Sequence, residues 1–139
     1  MLLFRNINKN TYMNNKENNN INIIPKVTYN NTDIHKFIIY EENRNKSGVY
    51  RWVNKINGKS YVGSSKSLSN RFSLYYSLNS LKKEVKGSII IRRALLKYGY
   101  SNFSLDILEY CESDVLITRE QYYIDLLKPE YNIKVNYKS

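Results

Sequence analysis

Two short apolar runs hinged on Asn57-Gly58 constrain this chain more than any other feature. Ser47-Gly48-Val49-Tyr50-Arg51-Trp52-Val53 is β-branched and aromatic, and Lys59-Ser60-Tyr61-Val62-Gly63 resumes the pattern after the turn pair. Side chains of this kind suit a pleated surface, and Asn-Gly suits the tight turn that reverses it. Two adjacent antiparallel strands follow. The ten residues Arg51 to Ser60 separate Gly48-Val49-Tyr50 from Tyr61-Val62-Gly63, so the hairpin brings two tyrosines within reach of one another.

After Gly63 the pattern changes period. Leu68, Phe72 and Tyr75 fall on one helical face, with Ser67 or Ser69 placed to cap it and Arg71 riding on it. Ser88 can cap a second helix through Ile91, Ala94, Leu95 and Tyr98, closed by Gly99. Its opposite face presents Arg92, Arg93 and Lys97 at best partly. Phe103 to Tyr110 alternates as a third strand. Ser113 or Asp114 opens a third helix through Leu116, Glu120, Tyr123, Ile124 and Leu127, which Pro129 prevents from continuing. The expected fold is α+β, a small three-stranded antiparallel sheet flanked by helices. Before it, residues 1–24 form an Asn-rich leader too polar to offset the entropy of ordering, expected to be disordered. Residues 25–46 are more apolar and are expected to pack on the core as a helix or extended arm. The compact domain then runs over 47–135, with a tail at 136–139.

With 22 Lys+Arg against 12 Asp+Glu, the formal charge is +10, which favours polyanionic partners. The excess is local. Residues 1–46 carry seven basic and four acidic groups, residues 101–139 four and seven, and residues 47–100 eleven basic groups against the single acid Glu84. One cysteine, Cys111, excludes an internal disulfide, and its apolar surroundings suit a buried structural thiol. No apolar run approaches the ~18 residues of a membrane span, so a soluble protein without a membrane partner is expected. There is no internal repeat.

The two tripeptides closely resemble those of the GIY-YIG nuclease family, with Val in place of Ile in both. The likeness extends through Asn70-Arg71-Phe72, through Ala94 to Leu105, through Arg119-Glu120-Gln121, and through Pro129-Glu130-Tyr131-Asn132-Ile133. It covers about residues 47 to 133. Upstream, Tyr29 to Asp33 and Lys46 to Trp52 look like the intron-encoded members from fungal mitochondria.

This resemblance implies a metal-dependent endonuclease acting on double-stranded DNA, homing-type and mitochondrial. Tyr50 would activate the attacking water through a phenol pKa lowered by neighbouring cations and metal. Tyr61 would orient water or phosphate, Arg71 stabilise the transition state, and Asn132 hold the site together. Glu120 would bind one Mg²⁺ or Mn²⁺, a hard ion suited to a single carboxylate plus waters. Gly63, Tyr75, Lys86, Arg92 and Arg93 are candidates for DNA contact, Gly63 by letting backbone come close. Tyr75, Tyr76, Tyr98 and Tyr100 could instead pack in the core or stack on unpaired bases.

The sequence departs from the family where members often carry histidines, places that fall here near Tyr75 and Lys86. The one histidine, His35, lies outside the motif blocks and is read as structural or solvent-exposed. Few residues follow the last block, which implies either a catalytic fragment or a freestanding nuclease with a small footprint. The rival reading is a catalytically silent protein that binds structured RNA and aids intron folding or splicing.

Overall fold

The computed structural model describes residues 23–77 and 88–132. Lys86, residues 1–22 of the Asn-rich leader and the tail at 136–139 lie outside them. The described elements run β1 (Val27–Tyr29), α1 (Lys36–Glu42), β2 (Gly48–Asn54), β3 (Ser60–Ser65), α2 (Leu68–Tyr76), α3 (Ile89–Tyr98), β4 (Phe103–Tyr110) and α4 (Leu116–Leu127). The hairpin, the three expected helices and the late strand are all present.

The sheet has four antiparallel strands in the order β1-β4-β2-β3, which corrects the expected three. The added strand comes from the stretch expected to form a helix or arm, which supplies both β1 and α1. Val27 to Tyr29 pair with Ile107 to Leu105 and cover the side of β4 that three strands would leave open. β2 and β4 are therefore central and β1 and β3 are edges. A register shift between Val49 and Tyr50 inserts Leu108 as an extra residue on β4, close to the tripeptides.

Strand alternation divides the sheet into two cores. On one face Tyr29, Tyr50, Trp52, Phe103, Leu105 and Ile107 meet Ile39 of α1, Leu68, Phe72 and Tyr75 of α2, and Ile91 and Leu95 of α3. On the other, Val49, Val62 and Leu108 meet Leu116 and Tyr123 of α4. Cys111 lies at the margin of this smaller core and is only partly buried. No helix among the described residues is long and apolar enough to cross a membrane.

The helix starts differ from expectation. Neither Ser67 nor Ser88 caps with its side chain. Leu68 N–H is taken by the Lys46 carbonyl, while the Ser69 hydroxyl donates to the Tyr40 carbonyl and ties α2 to α1. Ser88 Oγ instead accepts from Arg92 Nε. α4 is entered through a 3-10 turn over Ser113–Val115 rather than a capping Ser113 or Asp114. The helix ends are as expected. Gly99 closes α3 at φ 85°, ψ 150°, a conformation only glycine adopts readily, and Lys128 turns left-handed just before Pro129.

Beneath α4's face lies a cross-strand ion pair. Arg51 donates Nε and Nη2 to Asp106 Oδ2 at 3.0 and 2.8 Å, and Thr28 donates to Asp106 Oδ1 at 2.7 Å. The three residues are register partners across β1, β4 and β2, and Asp106 is fully buried. Removing one member of a buried pair leaves a charge without compensation. Asp106→Ala should therefore lower unfolding stability by about 3–5 kcal/mol, and Thr28→Val by about 1 kcal/mol, both read from urea denaturation.

Candidate functional site

The expected site residues gather around the outer edge of β3. In an antiparallel edge strand every second residue turns its backbone groups away from the partner strand; here these are Ser60, Val62 and Ser64. Ser60 N–H donates to Glu130 Oε1 at 3.1 Å. The Asn132 amide closes both groups of Val62, accepting its N–H at 2.8 Å and donating to its carbonyl at 2.9 Å. Arg71 Nη1 donates to the Ser64 carbonyl at 3.2 Å, and Ser64 Oγ donates to Glu120 Oε1 at 2.5 Å.

The two charged groups arrive from opposite layers. Arg71 belongs to α2, whose Phe72 and Tyr75 fill the larger core, and rounds the edge of the sheet to reach Ser64. Glu120 belongs to α4, where it shares the sheet-facing stripe of Leu116 and Tyr123. An anchor beside it holds that helix. Arg119 grips Glu109 of β4 through Nε and Nη2 at 2.8–3.1 Å, and Tyr123 donates to the same carboxylate at 2.8 Å. These bonds hold the Glu109 carboxyl below its ordinary range.

Tyr50 sits opposite Gly63 in the register and is fully buried. Its ring passes so close that a Cβ on Gly63 would lie 2.6 Å from the Tyr50 hydroxyl. The missing side chain thus makes room for a tyrosine of the chain itself. The Tyr50 hydroxyl meets the Tyr75 hydroxyl at 3.0 Å, and Tyr61 stands on the same face, opposite Trp52.

Burial pushes the Tyr50 phenol up; the Tyr75 hydroxyl and Arg71 pull it down without cancelling the rise, and Glu120 adds to it. Arg71 thus acts on the phenol in the expected direction, but burial outweighs it. Tyr61 and Tyr75 are raised too, first by burial and then by neighbouring Tyr50. Burial disfavours the Arg71 cation, but Tyr50 and its tyrosine neighbours more than restore it. The site is thus an arginine beside three neutral phenols, with a carboxylate across the strand edge.

Glu120 is the group here that could hold a metal. Among the described residues no three His, Cys, Asp or Glu side chains cluster. A hard divalent cation that keeps most of its waters needs no such cage, and a single carboxylate such as Glu120 is the oxygen ligand it prefers.

Other expected contacts fall elsewhere. Arg92 and Tyr75, candidates for nucleic-acid contact, are buried; the Arg92 guanidinium lies 5.2 Å from the Tyr75 ring centre, behind the site. Tyr76 and Tyr100 are partly buried, with ring centroids 4.8 Å apart, which is the core-packing alternative. Arg93 is exposed, and His35 is buried at the start of α1. Ser64 was not expected. Its signal was slight: a polar residue one step beyond Gly63, on the face opposite the tyrosines.

A family model described as the GIY-YIG catalytic domain matches residues 46–132. The chain is similar to intron-associated endonuclease 1 of Enterobacteria phage T4, at 37% identity over 66% of this chain and 35% of that protein. It is similar also to the probable intron-encoded endonuclease bI1 of Neurospora crassa, at 33% identity over 68% of this chain and 22% of that protein. It thus spans about a third or less of these relatives' lengths. The solved catalytic domain of the homing endonuclease I-TevI superposes with a TM-score of 0.51 at 34% identity, covering 63% of this chain and 94% of that one.

Two outcomes follow from the geometry. Gly63→Ala should cost about 1–3 kcal/mol by overpacking against Tyr50, and combined with Tyr50→Ala the losses should fall short of their sum, measured as a double-mutant cycle in urea. Glu109, held below its ordinary value of 4.5, contributes stability that is complete above that pH and is lost as the pH falls through the depressed value. Glu109→Gln should flatten the dependence of the melting midpoint between about pH 5 and 3.

Proposed function

Because the chain belongs to the GIY-YIG catalytic-domain family over residues 46–132, we propose that it is a metal-dependent endonuclease hydrolysing phosphodiester bonds of double-stranded DNA, of the homing, intron-encoded type. The observation that carries the reading is the meeting of Arg71 and Glu120 at Ser64 beside the tyrosine pair. Mitochondrial placement belongs to the same proposal and is supported by similarity to intron-encoded proteins of Neurospora crassa.

Phosphodiester hydrolysis requires an in-line water, neutralisation of charge on the non-bridging oxygens and stabilisation of the departing oxygen. Arg71 offers its remaining guanidinium donors to the phosphate oxygens, with a charge that the neighbouring tyrosines reinforce. Glu120 would hold one Mg²⁺ or Mn²⁺ by its carboxylate. Such an ion supplies Lewis-acid neutralisation of phosphate charge when bound. Tyr61 orients water or phosphate as a neutral hydrogen-bond donor. Asn132 keeps β3, and with it Tyr61 and Ser64, in place through Val62. Tyr50 is the base; being protonated at neutral pH, it must release its own proton before it takes one from water.

Supercoiled plasmid incubated with the chain and Mg²⁺ at low salt should pass to nicked or linear form. EDTA should stop this, and Glu120→Ala or Arg71→Ala should slow it by roughly 10²–10³-fold. Undiminished cutting by either variant would overturn the assignment. No cutting of any DNA, with tight and strongly salt-dependent binding of structured RNA, would instead mark a splicing helper. The cutting rate should also climb by up to about tenfold per unit from pH 7 to 9, and Tyr50→Phe should lose that climb.

A further inference from the structure

We propose that Ser64 is a positioning residue of this reaction: from one point on the edge of the sheet it sets the geometry of both the Glu120 carboxylate and the Arg71 guanidinium. The proposal rests on the endonuclease reading above and adds to it a residue that never touches the scissile bond.

Among the described residues, Ser64 is the one bonded to both charged groups, its hydroxyl donating to Glu120 Oε1 at 2.5 Å and its carbonyl accepting from Arg71 Nη1 at 3.2 Å. Its place is well determined. It pairs with Val49 across the hairpin, which points its side chain to the α4 face, and Asn132 clamps Val62 two residues earlier. A carboxylate has about four acceptor positions. Donation to Oε1 sets the plane of the Glu120 carboxylate and leaves the second oxygen for an ion. Arg71 has five N–H donors; one spent on the Ser64 carbonyl aims the rest of the fork. α2 and α4 pack on opposite faces, so without this residue the two charges would be aligned only through their separate helices. Groups that hold a metal-binding carboxylate in this way typically govern metal affinity or rate by 10–100-fold.

The full chain as wild type, Ser64→Ala, Ser64→Thr and Glu120→Ala tests this with four readouts. These are Mn²⁺ binding by electron paramagnetic resonance with a short duplex present, nicking rate against Mg²⁺ and plasmid concentration, duplex binding in EDTA, and melting midpoint. Ser64→Ala should lower kcat roughly 10–100-fold and weaken Mn²⁺ binding by a similar factor. Plasmid KM, duplex binding in EDTA and melting should stay at wild-type values, and Ser64→Thr, which keeps the hydroxyl, should recover most of the rate. Wild-type nicking and Mn²⁺ affinity in Ser64→Ala, with Glu120→Ala inactive, would refute the proposal and leave the endonuclease reading standing. A lowered melting midpoint with parallel loss of duplex binding, unrescued by threonine, would also refute it, as a folding role. A wild-type chain that neither binds Mn²⁺ nor nicks would remove the endonuclease reading and the proposal together.

Discussion

An edge strand presents a row of unpaired amide and carbonyl groups, which must be answered by something other than another strand. On β3 the answers are side chains: Glu130 at Ser60, Asn132 at both groups of Val62, and Arg71 at Ser64. Much of the molecule is arranged to deliver them. α2 must start close enough to β3 for Arg71 to reach round it, which the Lys46 carbonyl secures by taking Leu68 N–H. The 3-10 turn at Glu130–Asn132 must return to the hairpin, and the buried bond from Asn54 to the Tyr131 hydroxyl brings it there. One edge is thereby sealed against pairing and equipped with charge.

The tyrosines follow a related logic. A cation drawn into a partly buried place loses hydration, and Tyr50 with its tyrosine neighbours offsets that loss for Arg71. The same burial keeps those phenols protonated, so the site holds its positive charge without a neutralising phenolate. Glu120 is kept on the other side of the strand, joined to the arginine's anchor through Ser64. Were the carboxylate to pair with Arg71 directly, each would satisfy the other, leaving the arginine less available to an anion and the carboxylate less available to a cation.

Much of this was legible in the sequence, for reasons that differ by residue. Strand period and a turn pair determine a hairpin locally, so Tyr50, Tyr61 and Gly63 could be placed from neighbours alone. Glu120 could be set on a helix by its spacing from Leu116 and Tyr123, but its role was legible only through the family resemblance, since a lone carboxylate on a helix is ordinarily just a solvated charge. β1 was lost because three residues carry too little alternation to distinguish a strand from an arm; its pairing depends on β4, seventy-eight residues away through Thr28 and Asp106. Cap serines were misread because Ser69 has a long-range partner in Tyr40, which no local pattern encodes, and because the Ser88 hydroxyl accepts from Arg92 one helical turn on. Ser64 was passed over because nothing in a serine's identity tells which of two layers it will bridge.

The basic excess of residues 47–100 reads differently once folded. Arg51 is committed to Asp106 and Arg92 to the packing behind Tyr75, so neither adds to the outer surface. Among the described residues of this stretch, long-range attraction falls to the exposed Lys55, Lys59, Lys66, Arg93 and Lys97. Such charges act over about a Debye length, roughly 10 Å at moderate salt, and draw in any polyanion without regard to sequence. They bring the proposed substrate to the face but cannot choose a phosphate. That choice needs donors fixed to within a fraction of an ångström, and the rigid place to mount them is a strand already held on both sides: by β2 through the hairpin and by Asn132 along its edge. Attraction and alignment are thus assigned to different residues, and weakening the first should change how often the duplex arrives without changing what happens to it there.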